Sequence, residues 1–208
     1  MNQAVMQRIL ELEWEMFSDV QNAGGRASCQ DDAETFKIMR GAQFATWPED
    51  ALESWLEDLE AARREGRNLM TEKYARMMES TCPEEYMRIA KALPPVDGGT
   101  LALIEEILAA HISWKLEAAE KYPFLCGRGR ALRSGEDSAL ETSFETYLRG
   151  ELRTCSAETI RRLHRHTLRQ QKAGINGAAE TLLQQAKRYG YASLAEAENA
   201  AAPARPAR

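Results

Sequence analysis

The sequence has few of the residues that build disulfide frameworks or zinc sites. Its 208 residues include four cysteines and three histidines. The cysteines are far apart, with no CxxC pair and no cysteine next to a histidine. This distribution argues against a disulfide framework, a zinc site or a metal cage built from histidines. We therefore expect no metal site of these kinds.

Long apolar runs are also missing. A helix that crosses a bilayer needs about 20 consecutive apolar residues, and no run in this sequence reaches that length. The N-terminal segment, MNQAVMQRILELEWEMF, carries acidic side chains where a signal peptide needs an apolar centre. We expect a cytoplasmic protein that has no membrane partner.

Glycine and proline are scarce, with 13 and 7 residues, which argues against global disorder. No segment has the apolar–polar alternation of a strand, whereas apolar residues recur at spacings of three and four, as in amphipathic helices. The sequence therefore predicts an all-α fold, an irregular bundle of about eight helices. We expect one domain over residues 1–199 and a disordered tail over residues 200–208.

The charges are unevenly distributed along the chain. Residues 1–152 contain 17 Lys and Arg against 28 Asp and Glu, a net charge of −11, while residues 153–208 contain 10 against 4, a net charge of +6. One interpretation is that the two parts attract each other within one fold. The other is a basic face for an acidic partner. Nucleic acid is not expected there, because the basic segment has almost no aromatic side chains that could stack on bases.

Residues 24–47, GGRASCQDDAETFKIMRGAQFATW, concentrate polar groups beyond what packing requires. Ser28, followed three residues later by Asp31, is a variant of the capping-box spacing and predicts a helix that starts near Cys29. The free N–H groups of a first turn favour a thiolate or a bound anion, and Arg26 adds positive charge. This segment contributes a candidate nucleophile, Cys29, and three candidate ligand-binding residues, Arg26, Gln30 and Asp32.

Three further charged residues, Glu13, Arg40 and Glu151, have apolar neighbours on their predicted helices. Arg40 and Gln43 fall on an apolar helical face, where burial without partners costs several kcal/mol. Glu13 projects from the apolar face of the first helix, and Glu151 from a predicted helix over residues 138–154 that also presents Tyr147. The alternative to a functional site is structural: Glu13 pairs with Arg40 or Arg26 to tie two helices together, and Cys29 lies in an inert capped turn.

Three sequence blocks resemble a known bacterial family. The blocks are GGRASCQDD with TFKIMR, GRNLMTEKYARMMEST (residues 66–81) and TSFETYLRGEL (residues 142–152). They are similar to the family catalogued as domain of unknown function 4125, and the resemblance extends over about residues 9–198. It implies a bacterial protein, and it implies no established activity, cofactor or catalytic residue.

The sequence thus favours a small-molecule-binding protein, and specifically an enzyme that acts on a small polar or zwitterionic substrate in a polar cavity between helices. The alternative is a non-catalytic helical module that regulates or completes a separate enzyme, with a protein partner or a homo-oligomeric state. No cofactor is indicated. The candidate catalytic residues are Glu13, Cys29 and Glu151, and the candidate ligand-binding residues are Arg26, Gln30, Asp32, Arg40, Gln43 and Tyr147.

Overall fold

Eleven α-helices and three short 3-10 turns form the structure, a computed structural model that describes residues 3–22 and 25–203. Helices account for 74% of the chain, and the described residues contain no strand, so the predicted all-α class is confirmed. The helices are α1 (Gln3–Ser18), α2 (Ala33–Phe44), α3 (Glu49–Arg64), α4 (Leu69–Thr81), α5 (Pro83–Ile89), α6 (Gly98–Lys121), α7 (Pro123–Cys126), α8 (Phe144–Leu152), α9 (Ala157–Lys172), α10 (Gly177–Arg188) and α11 (Leu194–Ala201).

Most helices begin at a residue whose side chain accepts a hydrogen bond from the backbone N–H three positions on. This contact satisfies one of the donors that a helix leaves unpaired in its first turn, and it contributes about 1 kcal/mol. The residues that cap helices in this way are Asp32, Asn68, Asp97, Ser143, Ser156, Asn176 and Ser193.

Two predicted helix starts were wrong, and the cap explains each. The helix expected from Cys29 is a 3-10 turn over Ser28–Asp31, and α2 begins only at Ala33. Asp32 accepts from the backbone N–H of Thr35 at 2.9 Å, so Asp32 caps the helix.

The helix expected over residues 138–154 begins at Phe144, because Ser143 is its cap. Asp137 also accepts from the backbone N–H of Ser143, at 2.5 Å, and so holds the preceding loop in a turn. The helix count is somewhat higher than the predicted eight. One reason is α7, a single helical turn over Pro123–Cys126.

The main core lies between α1, α3, α6 and α9. Helix α1 packs against α3, α3 against α9, and α9 against α6, while α4 and α8 lie side by side next to them. Burying each large apolar side chain contributes about 1.5–3 kcal/mol. The most deeply buried apolar side chains include Ile9, Leu12, Leu52, Trp55, Leu59, Ile104, Leu108 and Ile160.

The C-terminal helix is attached to α7 as well as to α10. Glu198 on α11 accepts hydrogen bonds from the backbone N–H groups of Phe124 and Leu125, both at 2.8 Å. Helix α11 continues to Ala201, so it includes the first residues of the predicted tail, and residues 204–208 lie outside the described part. Among the described residues, no helix has the length and apolar character needed to cross a membrane.

Candidate functional site

A bidentate ion pair joins α1 to α2 inside the bundle. Arg40 donates from Nε to Oε2 of Glu13 and from Nη2 to Oε1, both at 2.7 Å. Trp55 on α3 donates its indole N–H to the same Oε1 at 2.9 Å. The side chain of Glu13 is 0% exposed and that of Arg40 is 7% exposed. Of the two partners expected for Glu13, Arg40 or Arg26, the structure shows Arg40.

A second carboxylate, Glu151 on α8, extends this pair into a network. Its Oε2 accepts from Nη1 of Arg40 at 2.8 Å and from Nζ of Lys73 at 2.5 Å. Its Oε1 accepts from the amide of Gln43 at 2.6 Å, and the Gln43 oxygen accepts from Arg40 at 2.7 Å. We call Glu13, Arg40, Lys73 and Glu151 the buried quartet. Its two carboxylates and two cations have a formal net charge of zero.

The electrostatics around Arg40, Lys73 and Glu151 favour the charged forms of these three side chains. Burial alone would raise the pKa of Glu151, but the positive charges of Arg40 and Lys73 outweigh burial and hold this pKa well below its ordinary value. Burial likewise opposes the charge on Lys73, and the attraction of Glu151 nevertheless raises the Lys73 pKa. The pKa of Arg40 is raised as well, because Glu13 and Glu151 more than offset its burial. These three groups are charged at neutral pH.

Tyr147 lies between the quartet and the protein surface. The Lys73 ammonium is 3.6 Å from the centroid of the Tyr147 ring, and the guanidinium carbon of the exposed Arg130 is 4.8 Å from the same centroid. Both are cation–π distances. Burial and the neighbouring Tyr147 raise the pKa of Tyr74 to about 12. Tyr147 and Tyr74 are partly exposed, whereas the four members of the quartet are buried, so the two tyrosines lie on the solvent side of the quartet.

An aromatic cluster adjoins Tyr74 on α1 and α2. The rings of Phe17 and Phe36 are stacked with centroids 5.1 Å apart, and Phe17 is 6.4 Å from Tyr74. Trp14 contacts Phe36 edge-on at 5.2 Å. Trp14, Phe36 and Tyr74 are only partly buried, so they supply an apolar wall beside the polar quartet.

The predicted site residues Arg26 and Gln30 lie in the connection between α1 and α2, apart from the quartet. The Gln30 amide donates to two carbonyls of the end of α1 and the following loop, at 3.1 and 2.8 Å, and accepts from Asn22 and from the backbone N–H of Ala27. Arg26 donates to Asp31, at 2.8 Å, and to two backbone carbonyls. Both side chains hold this connection in place through contacts within the chain.

Cys29 and Asp32 also lie outside the quartet. Cys29 is exposed on the 3-10 turn, and Asp32 caps α2, with a pKa lowered by its hydrogen bonds to Thr35. A different cysteine, Cys155, contacts the network, since its Sγ is 3.9 Å from the backbone oxygen of Glu151. Burial raises the pKa of Cys155 well above its ordinary value, so this thiol stays protonated and is a poor nucleophile.

Sequence reasoning missed Lys73 and Trp55 as members of the site. Lys73 is 1% exposed and carries the second positive charge of the quartet. The sequence spacing could have identified Lys73. It follows Met70 by three residues and precedes Met77 by four, which places this lysine on the apolar face of α4. Trp55 gave no such signal, because a tryptophan on an apolar face is ordinarily core.

The site has no set of metal ligands. Within residues 3–22 and 25–203, no three His, Cys, Asp or Glu side chains lie where they could hold a metal ion together. The side chains of the site carry guanidinium, ammonium, carboxylate, amide and phenol groups.

Comparison with known proteins gives one match. The model of a family described as "Protein of unknown function (DUF4125)" matches residues 3–199. No curated protein and no solved structure matches the chain.

Proposed function

Since the chain belongs to the DUF4125 family, whose description assigns no activity, we propose its function from its side chains: it binds a small polar or zwitterionic molecule at the Tyr147 edge of the buried quartet. The observation that carries this proposal is the spare donor capacity of Lys73. Its ammonium has three protons, and in the described part of the chain it has one hydrogen-bond acceptor, Glu151. A buried ammonium in a region of low dielectric strongly favours a further acceptor.

The groups around Lys73 define the ligand chemistry. The hydroxyls of Tyr74 and Tyr147 make no hydrogen bond to any described residue, so both are available to a ligand. Arg130 adds a positive charge at the exposed side of the Tyr147 ring. A ligand with a carboxylate or phosphate group would bind to the donors of Lys73 and Arg130, and its apolar part would contact the wall that includes Phe36.

In this proposal the two glutamates of the quartet position other side chains and take no part in a reaction. Each carboxylate already accepts three hydrogen bonds, and the pKa of Glu151 is too low for an effective base at neutral pH. We therefore assign Glu13 and Glu151 the task of holding Arg40 and Lys73 in place. A catalytic role would fall to groups that touch the ligand. At the Tyr147 edge of the quartet, these groups are Tyr147 and Lys73.

The alternative is a non-catalytic helical module that partners a separate enzyme. One observation favours it: the quartet is electrically neutral and mutually hydrogen-bonded, which is also what a purely structural tie between α1, α2, α4 and α8 requires. In that case purified protein should bind no small molecule and should elute together with a partner.

A ligand screen on the full chain tests the proposal. Carboxylates, amino acids and phosphate monoesters are tested for a saturable rise in unfolding temperature, followed by calorimetric titration of each hit. Tyr147→Phe keeps the ring against Lys73 and removes the hydroxyl, and Arg130→Gln removes the outer charge. Each should weaken binding by about tenfold, the effect of losing one hydrogen bond to a charged group, with the unfolding temperature of the free protein unchanged.

The matched control is Tyr189→Phe, because Tyr189 follows the last residue of α10, is 52% exposed and is not among the described residues that contact the quartet. It should leave the affinity unchanged. Failure of every compound to bind, or equal affinities in Tyr147→Phe, Arg130→Gln and the wild type, would favour the helical module.

A further inference from the structure

A second polar feature lies between α4 and α8, in a cleft whose lining does not include the buried quartet. The cleft has a volume of about 200 Å³ and is lined by three arginines, Arg76, Arg149 and Arg153, together with Glu79, three hydroxyl side chains and Gly150. The charged groups of the lining sum to a net charge of +2. Arg149 pairs with Glu105 and Glu145, which lie outside the lining, and Arg153 pairs with Glu79. Among the described residues of the lining, Arg76 is therefore the arginine without an ion-pair partner, and such a guanidinium in a concave surface suits an anion.

Arg76 is the residue that makes the cleft unusual. It is 5% exposed, and its Nε has no hydrogen-bond partner in the described part of the chain. Its Nη2 donates to the backbone oxygen of Pro94 at 2.6 Å. No described carboxylate lies within ion-pair distance of it, in contrast to Arg40. A buried guanidinium without a counter-ion is costly, and an incoming anion would remove that cost.

The other two arginines are held at the rim of the cleft. Arg149 is bound by Glu105, at 2.8 and 3.0 Å, and by Glu145 at 3.0 Å. Arg153 donates from Nη1 to Glu79, while its own Nε is buried and has no partner among the described residues. Burial and the positive charge of Arg153 both lower the pKa of Arg76. Two guanidinium groups with unused donors therefore lie close together.

The hydroxyl groups of the cleft present acceptors. Ser80 and Thr146 both donate to Oδ2 of Asp137 at 2.5 Å, so their remaining lone pairs are free to accept. A ligand that matches this lining has oxygen acceptors for the arginines and an O–H donor for a serine or threonine. Hydrogen phosphate and the monoanionic form of a phosphate monoester combine these features, whereas a halide, a fully deprotonated carboxylate or a monoester dianion lacks the donor.

We infer that this cleft is a phosphate-binding site, in which Arg76 and Arg153 bind the phosphate oxygens. The inference stands apart from the proposed function, because it uses different side chains. The two features share the crossing of α4 and α8. Lys73 and Arg76 lie about one turn apart on α4, and Glu151 lies on α8 between Arg149 and Arg153, the residue that follows this helix.

The test is a titration of the full chain with inorganic phosphate. Binding is measured as a shift in unfolding temperature and by calorimetry. Phosphate stabilises most proteins weakly by exclusion from their surface, so sodium chloride and sodium sulfate at equal ionic strength are run in parallel. The wild type should show a saturable increase in unfolding temperature with phosphate and a weaker one with sulfate. Phenyl phosphate should compete with inorganic phosphate if the cleft accepts monoesters, and should fail to compete if it takes only the free ion.

Two variants and one control assign the effect to the cleft. Arg76→Gln removes an unpaired buried charge, so the free variant should be at least as stable as the wild type and its phosphate affinity should fall by about tenfold or more. Arg153→Gln should weaken phosphate binding by a similar factor, and it tests the site even if Arg76→Gln does not fold. Arg64→Gln, on the exposed side of α3, should bind phosphate like the wild type. The inference is overturned if wild-type protein shows no saturable response, or if both cleft variants respond as it does.

Discussion

Replacing Arg40 with methionine removes the one cation that bonds to both carboxylates of the quartet. Glu13 loses two hydrogen bonds and Glu151 loses one, and the formal charge of the group changes from zero to −1 in a region where the Glu13 side chain is 0% exposed. Removing one partner of a buried ion pair costs about 3–5 kcal/mol, because the remaining charge stays in a low dielectric. The free energy of unfolding of a domain is about 5–15 kcal/mol in total, so the variant should fold but should unfold at a much lower urea concentration.

Urea unfolding followed by circular dichroism measures this loss at neutral pH. The matched control is Arg63→Met, which removes an arginine from a surface ion pair with Glu15 at 3.3 Å, where the two side chains are 51% and 59% exposed. Exposed pairs of this kind contribute about 0–1 kcal/mol, since water and salt screen them. The difference between the two variants isolates the effect of burial.

A double-mutant cycle then separates the ion pair from its surroundings. In Glu13→Gln with Arg40→Met, Glu151 and Lys73 remain as a neutral pair, so the double variant should cost less than the sum of the single variants by about 1–3 kcal/mol. If Arg40→Met loses no more stability than Arg63→Met, or the two single effects simply add, the quartet is not an electrostatic unit and our reasoning about its energetics is wrong.

Three further predictions concern pH and helix packing. The pKa of Glu151 is lower in the folded chain than its ordinary value of 4.5, so the stability that its charge contributes is complete above pH 4.5 and is lost as the pH falls below it. In urea unfolding at a series of pH values, Glu151→Gln should reduce this loss of stability in acid. Burial, Lys115 and His166 lower the pKa of His111 from 6.5 to about 4, so stability should fall as pH drops from 6.5 to 4, and less steeply in His111→Gln. Gly150→Ala would place a Cβ 2.9 Å from Met77 Cγ and 3.1 Å from the Lys73 carbonyl oxygen, and should cost about 1–3 kcal/mol. Gly98→Ala, where nothing lies within 4 Å, should not show this loss; equal stabilities of the two glycine variants would contradict a tight crossing.

Local sequence patterns determined the helical class and most of the helices. Apolar spacing of three and four residues predicted the helical class, because an amphipathic helix such as α1 buries one face against the core. Caps were harder to assign from spacing alone. Ser28 and Asp32 are both good cap residues, and only the observed hydrogen bond to Thr35 decides that α2 starts after Asp32.

The candidate site depended on the sequence pattern and on the tertiary packing. A charged residue on an apolar helical face is visible in the sequence, which is why Glu13, Arg40 and Glu151 could be selected in advance. Which of these charges meet was decided by tertiary packing, because the partners are 27 and 111 residues apart. The close crossing of α4 and α8 at Gly150 brings Lys73 to Glu151, and periodicity within one helix carries no information about the face of a distant helix.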